Sequence, residues 1–192
     1  MSRKLLYIVN PVSGTGTKAP VHDLIRSKTE AAGFPFAIFP SVASGDYNFL
    51  LEEITSQHFT DIVIAGGDGT VNQVVHGLSG LDLQFGILPC GSGNGLAFSA
   101  GIPKNLDKAI DIVFRGHGVR SDAFMINDRF ACMLCGLGFD AQVAHDFAND
   151  PNRGLATYIR QTVKNFFSAR TWPFVITTGT REIHSEAFFI SI

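Results

Sequence analysis

Apolar residues in the first half of the chain come in short runs, separated by segments whose apolar positions recur about once per helical turn. The runs Lys4 to Asn10, Phe36 to Pro40, Asp61 to Ala65 and Gln84 to Pro89 are rich in Ile, Leu, Val and Phe, which predicts strands buried on both faces. Between them, Pro20 to Ala32, Asp46 to Gln57 and Thr70 to Leu78 have helical spacing, followed by a short helix from Gly93 and another over Leu106 to Arg115. Strands alternating with helices predict a parallel sheet with helices on both faces, a Rossmann-like α/β domain over residues 1–117.

After Gly116 the pattern changes. Gly118 to Ile126 and Arg129 to Leu137 alternate as strands joined by a turn at Asn127-Asp128, so an antiparallel β-rich domain is expected over residues 118–192. Gln142 to Asn149 and Gly154 to Ala169 read as helices within it, and Trp172 to Thr178 with Arg181 to Ile192 reads as a hairpin around Gly179. The last segment, Ala187 to Ile192, is an apolar strand with no polar tail; an unpaired edge and a chain cut short are the expectation, with pairing to a second copy as a route to a homodimer.

Composition narrows the function classes. The 192 residues are 45% hydrophobic with a formal net charge of -2, which gives no general attraction to nucleic acid. Arg3 and Lys4 precede an apolar run too short for a signal peptide, and no window approaches a bilayer-spanning length; a soluble, cytoplasmic protein is expected. Cys90, Cys132 and Cys135 make an odd count, against a secreted disulfide framework, and Cys132 and Cys135 read as buried strand residues. The six histidines show no metal spacing, so no transition metal is expected.

The candidate chemistry lies in three glycine-rich loops, each leaving a predicted strand. In Ile62 to Leu78 (IVIAGGDGTVNQVVHGL), Gly66, Gly67 and Gly69 leave backbone N–H groups bare beside a helix N-terminus, which suits a phosphate. Asp68 is the acid in that loop; beside phosphate it calls for a Mg²⁺ ion or for a hydroxyl proton to accept, and the structural alternative is a tight turn with a helix-capping Asp. Asn10 to Lys18 (NPVSGTGTK) is a polar loop after the first strand, neither a Walker A sequence nor a G-x-G-x-x-G. Leu88 to Ala97 (LPCGSGNGLA) repeats the strand, Gly-rich loop, helix order with Gly91, Ser92 and Asn94. Loops leaving the carboxyl ends of one parallel sheet converge on one crevice.

With NPVSG, GGDGTVNQV, LPCGSGNGLA and the later GLGFDAQVA (Gly136 to Ala144) in this order, the chain resembles the diacylglycerol kinase catalytic-domain family, which includes bacterial lipid kinases and sphingosine kinases and is distantly similar to NAD kinases. The resemblance implies an α/β nucleotide-binding domain followed by the start of an antiparallel β-sandwich that accepts the lipid, with ATP and Mg²⁺ used and peripheral contact with a membrane surface. By the same resemblance, Asn10, Ser13, Gly14, Gly67, Thr70, Asn72, Ser92 and Asn94 contact nucleotide, and Asp68 acts as base or holds the Mg²⁺ network. Asp140, in Gly-Phe-Asp at Gly138 to Asp140, is assigned a structural or supporting role.

Two departures stand out: Gln73 occupies a position where the family usually has Glu, and the family's later acidic catalytic residue has no counterpart before Ile192, so transfer by a chain of this length is not expected. The implied reaction is transfer of the ATP γ-phosphate to a lipid hydroxyl, of diacylglycerol or a sphingoid base. Alternatives are a nucleotide-binding module without chemistry and a kinase for a soluble acceptor, as in NAD kinases. Seventeen phenylalanines imply a well-stocked core. Tyr158, Phe166, Phe167 and Trp172, with Arg160, Lys164 and Arg170, would form a membrane contact only if grouped on an exposed surface.

Overall fold

A computed structural model describes residues 3–12, 19–152 and 154–192. Four strands form a parallel sheet: β1 (Leu5–Val9), β2 (Phe36–Pro40), β3 (Asp61–Gly66) and β4 (Gln84–Pro89), in the order β2-β1-β3-β4. Leu5 lies opposite Phe36 on one side and Asp61 on the other, and Asp61 lies opposite Gln84. The chain therefore leaves β1 for one side of the sheet and returns to the other at β3. This change of direction puts a crevice beyond the carboxyl ends of β1 and β3.

Strand residues alternate between two buried layers. Leu6, Ile8, Ile62 and Ile64 pack with Leu50 and Ile54 of α2 (Asn48–Ser56) and with Val71, Val74 and Leu78 of α3 (Asp68–Leu78). Leu5, Tyr7, Val9, Val63 and Ala65 pack with Ile25 of α1 (Ala19–Ala31) and with Ala109, Ile110 and Val113 of α5 (Leu106–Arg115). Both faces of the sheet are covered, as the uninterrupted apolar runs require. The fold is α/β, with small antiparallel sheets after the parallel one. A short helix, α4 (Gly95–Ser99), follows β4.

By contacts the described chain divides into two compact units, residues 1–133 and 134–192. This division lies downstream of the boundary expected at 117/118, because the hairpin β5 (Phe124–Ile126) and β6 (Arg129–Ala131) packs on α3. Its turn has Asn127 and Asp128 at φ 45° and 62°, the left-handed pair of a type I′ turn. Two long strands were expected here. Instead, residues 118–123 are irregular, and the segment Arg129 to Leu137 breaks after Ala131. The break falls where the α3 side chain Asn72 binds the backbone at Phe130 and Cys132, in place of a strand partner.

In the second unit, β7 (Gly136–Gly138) pairs antiparallel with β10 (Phe189–Ser191), and Cys135 and Ile192 exchange N–H···O bonds of 2.8 and 2.9 Å. The C-terminal strand, expected to be unpaired, therefore has a partner on one side, in a two-stranded sheet. Helices α6 (Phe139–Asn149) and α7 (Leu155–Phe166) pack together, and β8 (Trp172–Thr178) pairs with β9 (Arg181–Ala187) around Gly179. On α7 the polar residues Thr157, Gln161 and Asn165 are buried, whereas Tyr158, Ile159, Val163 and Phe166 are exposed. The polar stripe is the inner one because α6 offers it Asp146, and the segment after α6 offers Asp150, as hydrogen-bond partners.

Candidate functional site

Strand β3 delivers the chain into the crevice at Gly66. A Cβ on Gly66 would lie 2.7 Å from Cβ of Thr70, so only glycine lets the first turn of α3 fold back on the strand end. Gly67 is extended, and α3 starts at Asp68, not at Thr70 as the spacing predicted. Asp68 thus sits in a helical first turn, where a carboxylate complements the N-terminal end of the dipole.

The loop after β1 is tied to the same place. Asn10 donates its backbone N–H to Ala65 O at 2.9 Å, and its side-chain Nδ2 donates to the buried Thr70 hydroxyl at 2.6 Å. Asn10 Oδ1 in turn accepts from the Val12 N–H, which shapes the start of the loop. Ser13 and Gly14, expected to contact nucleotide, lie outside the described residues, as does the rest of that loop through Lys18.

The loop after β4 comes within contact of the β3 loop. A Cβ on Gly91 would lie 2.5 Å from Gly67 Cα and 2.8 Å from Asn94 Oδ1. Asn94 is buried in the left-handed region at φ 61°, and its amide turns back on Gly91: Oδ1 accepts from Gly91 N–H at 2.7 Å and Nδ2 donates to Gly91 O at 2.8 Å. Asn94 therefore shapes the loop from inside. Ser92, Gly93 and Gly69 are exposed.

Asp68 joins these loops. It is half-buried; Oδ2 accepts from Gly95 N–H at 3.0 Å and Oδ1 from Leu96 N–H at 3.2 Å. The helix-capping alternative is thus realised, on α4 and not on its own helix. Asp68 is the only carboxylate in these loop sequences. Among the described residues no group of three His, Cys, Asp or Glu is placed to hold a metal ion. One half-buried carboxylate with lone pairs left over fits the needs of Mg²⁺, which binds through one or two carboxylates plus substrate phosphates and keeps its waters.

Asn72 points elsewhere. Its Nδ2 donates to Phe130 O at 3.0 Å and its Oδ1 accepts from Cys132 N–H at 3.1 Å, while His76 stacks on Phe130 with ring centroids 4.9 Å apart. Asn72 and His76 hold the β5–β6 hairpin on α3. Gln73 is exposed, with its side chain against Gly45. Asp140 lies in the first turn of α6, packed so closely on Gly136 that a Cβ there would lie 2.5 Å from Asp140 Cβ. Cys132 is buried, with its Sγ 3.5 Å from Asn72 Oδ1, and Cys135 is half-buried. Sequence reasoning missed the Asp68–α4 contact and the part His76 and Phe130 play, since nothing local to either segment signals the other.

Residues 4–126 match the model of the diacylglycerol kinase catalytic domain, a span that contains all three loops. A diacylglycerol kinase of Bacillus subtilis (strain 168) is 32% identical over 147 residues, covering 75% of this chain and 48% of that protein. One from Staphylococcus carnosus (strain TM300) is 27% identical over 148 residues, 76% of this chain and 48% of that one. The chain spans about half the length of these curated relatives. Among solved structures, a putative diacylglycerol kinase from Bacillus anthracis str. Sterne superposes with a TM-score of 0.74 at 26% identity, covering 98% of this chain and 65% of that one. A second, described as a diacylglycerol kinase from the same strain, gives a TM-score of 0.70 at 25% identity, over 98% and 63%.

Proposed function

Because the chain belongs to the diacylglycerol kinase catalytic-domain family, we propose that it carries the phosphoryl-transfer crevice of an ATP-dependent lipid kinase. One observation carries the reading: the loops after β3 and β4 meet at Gly67 and Gly91, with the Asp68 carboxylate beside them. Gly69, with nothing within 4 Å of its Cβ position, leaves room for a polyphosphate to come close to backbone amides, and the N-terminal end of α3 favours its charge. Asn10, Thr70 and Asn94 hold the loop backbones in that arrangement, and Ser92 offers an exposed hydroxyl.

Asp68 orients the acceptor hydroxyl and takes its proton as the acceptor oxygen bonds to the γ-phosphorus and the bond to the β,γ-bridging oxygen breaks. Asp68 is also the residue that would hold Mg²⁺, which, when bound, would neutralise charge on the transferring phosphoryl group. The acceptor is proposed to be a lipid hydroxyl reached at a membrane surface. Exposed Tyr158, Ile159, Val163, Phe166 and Phe167 interleave with Arg160 and Lys164, and this mixture of apolar and basic groups suits an anionic bilayer. No helix among the described residues is long and apolar enough to cross one.

A nucleotide-binding module without transfer is the second reading, favoured by the two amide bonds that already engage Asp68. The test is incubation of the purified protein with γ-labelled ATP and Mg²⁺, against vesicles carrying diacylglycerol or a sphingoid base and against soluble NAD. Label in lipid supports the kinase. Nucleotide binding with no label transferred supports the module, and label in NAD alone overturns the lipid assignment.

A further inference from the structure

We infer that Asp68 is also a positioning residue, one that latches α4 and thereby sets the shape of the 90–94 loop. The inference rests on the nucleotide-crevice reading above and specifies how that crevice is kept in form.

Helix α4 is only five residues long, and its N-cap, Asn94, lies in the left-handed region. The first amides of a helix have no partner within it, and a side chain at the N-cap usually supplies one. Asn94 does not, because its amide is turned back on Gly91. The partner comes from α3: the two Asp68 oxygens accept from the Gly95 and Leu96 amides at 3.0 and 3.2 Å. Hydrogen bonds to an ionised acceptor are the strong kind.

The path of the carboxylate is cleared by missing side chains. A Cβ on Gly93 would stand 3.1 Å from Asp68 Oδ2, and one on Gly91 would strike Gly67. Without Asp68, α4 loses its only side-chain cap among the described residues, and the Asn94–Gly91 turn loses the anchor at its far end. Each carboxylate oxygen has lone-pair capacity left over, so the latch is compatible with accepting a proton or meeting a Mg²⁺ ion. The two roles differ in readout: a base acts on turnover, whereas a latch acts on nucleotide affinity and on α4 itself.

The experiment compares the natural protein with Asp68→Ala, Asp68→Asn and Gly93→Ala. Affinity for a non-hydrolysable ATP analogue is measured by calorimetry without lipid or Mg²⁺, and hydrogen exchange is followed at the Gly95 and Leu96 amides in the ligand-free protein. Asp68→Ala is expected to weaken nucleotide binding about tenfold and to speed exchange at both amides by at least about tenfold, near the lower limit for losing bonds to a charged group. Asp68→Asn, which keeps one acceptor oxygen, falls between. Gly93→Ala, whose new Cβ would stand 3.1 Å from Asp68 Oδ2, speeds exchange at both amides with the carboxylate intact. Unchanged exchange and affinity within twofold in Asp68→Ala, with turnover alone lost, overturns the latch. If the natural protein binds no nucleotide, the crevice reading fails, and the exchange rates still decide the latch.

Discussion

The approach of the two loops at Gly67 and Gly91 can be tested with a single methyl group. In Gly91→Ala the new Cβ would start 2.5 Å from Gly67 Cα and 2.8 Å from Asn94 Oδ1. Carbon atoms settle at about 3.5–4.0 Å, so the loops must part by roughly 1 Å. Overpacking of this kind costs about 1–3 kcal/mol. The same shift breaks the pair of bonds between Asn94 and Gly91, each worth about 1 kcal/mol. A loss of about 3 kcal/mol is expected, which for a unit of this size lowers the melting temperature by about 10 °C. The single tryptophan, Trp172, lies in the second unit, so its fluorescence would miss the event. Far-UV circular dichroism, with hydrogen exchange at β3 and β4, is the suitable assay. Gly69→Ala is the control: nothing lies within 4 Å of its Cβ position and it is helical, so folding should be unchanged or firmer by up to about 1 kcal/mol. Its methyl group nevertheless projects where phosphate is proposed to approach, so nucleotide affinity should fall. A Gly91→Ala protein melting within about 2 °C of the natural one would refute the packing argument.

Asn72→Ala removes the side-chain oxygen that accepts from the Cys132 amide, at a cost of about 1–3 kcal/mol, and hydrogen exchange over residues 124–132 should rise ahead of the sheet. The Asp150 carboxyl is held down to about 2, chiefly by the Asn152 backbone N–H and also by Gln161 and Arg160. A folded value below the unfolded one of about 3.9 means a contribution complete above that pH and lost as pH falls towards 2. Asp150→Asn should therefore melt below the natural protein at pH 6, with the gap closing by pH 2; a pH-independent gap would contradict this account. Replacing the exposed Phe166 and Phe167 by Ser should cut sedimentation with anionic vesicles about tenfold and leave the melting temperature unchanged.

Much of the first unit is legible because its signals are local. Strands Phe36–Pro40 and Gln84–Pro89 and helix Leu106–Arg115 appear with the bounds their patterns predict. A strand covered on both faces leaves an unbroken apolar run, and α5 carries its own punctuation: the Asn105 side chain accepts from Lys108 N–H, and Gly116 ends the helix at φ 69°. Legibility ends where a distant group intervenes. The segment Arg129 to Leu137 has strand alternation throughout, yet Asn72 takes the backbone at Phe130 and Cys132 and pairing stops. Helix α7 has a clear apolar stripe, yet that stripe faces outward, because Asp146 and Asp150 reward the polar one for packing inward.

The site divides in the same way. That glycine-rich loops leave β3 and β4, and that an aspartate stands in one of them, follows from the order of residues, because glycine and the strand-to-helix change are properties of a few neighbouring positions. Which groups meet is a property of strand order. Asn10 reaches Thr70 across 60 positions and Asp68 reaches Leu96 across 28, contacts created only when β1, β3 and β4 lie side by side. The chain alone determined which segments are glycine-rich loops between a strand and a helix. The tertiary structure decided that the aspartate also caps a neighbouring helix and that Asn72 braces a hairpin, since a side chain's partner depends on what the sheet brings within about 3 Å, the reach of a hydrogen bond.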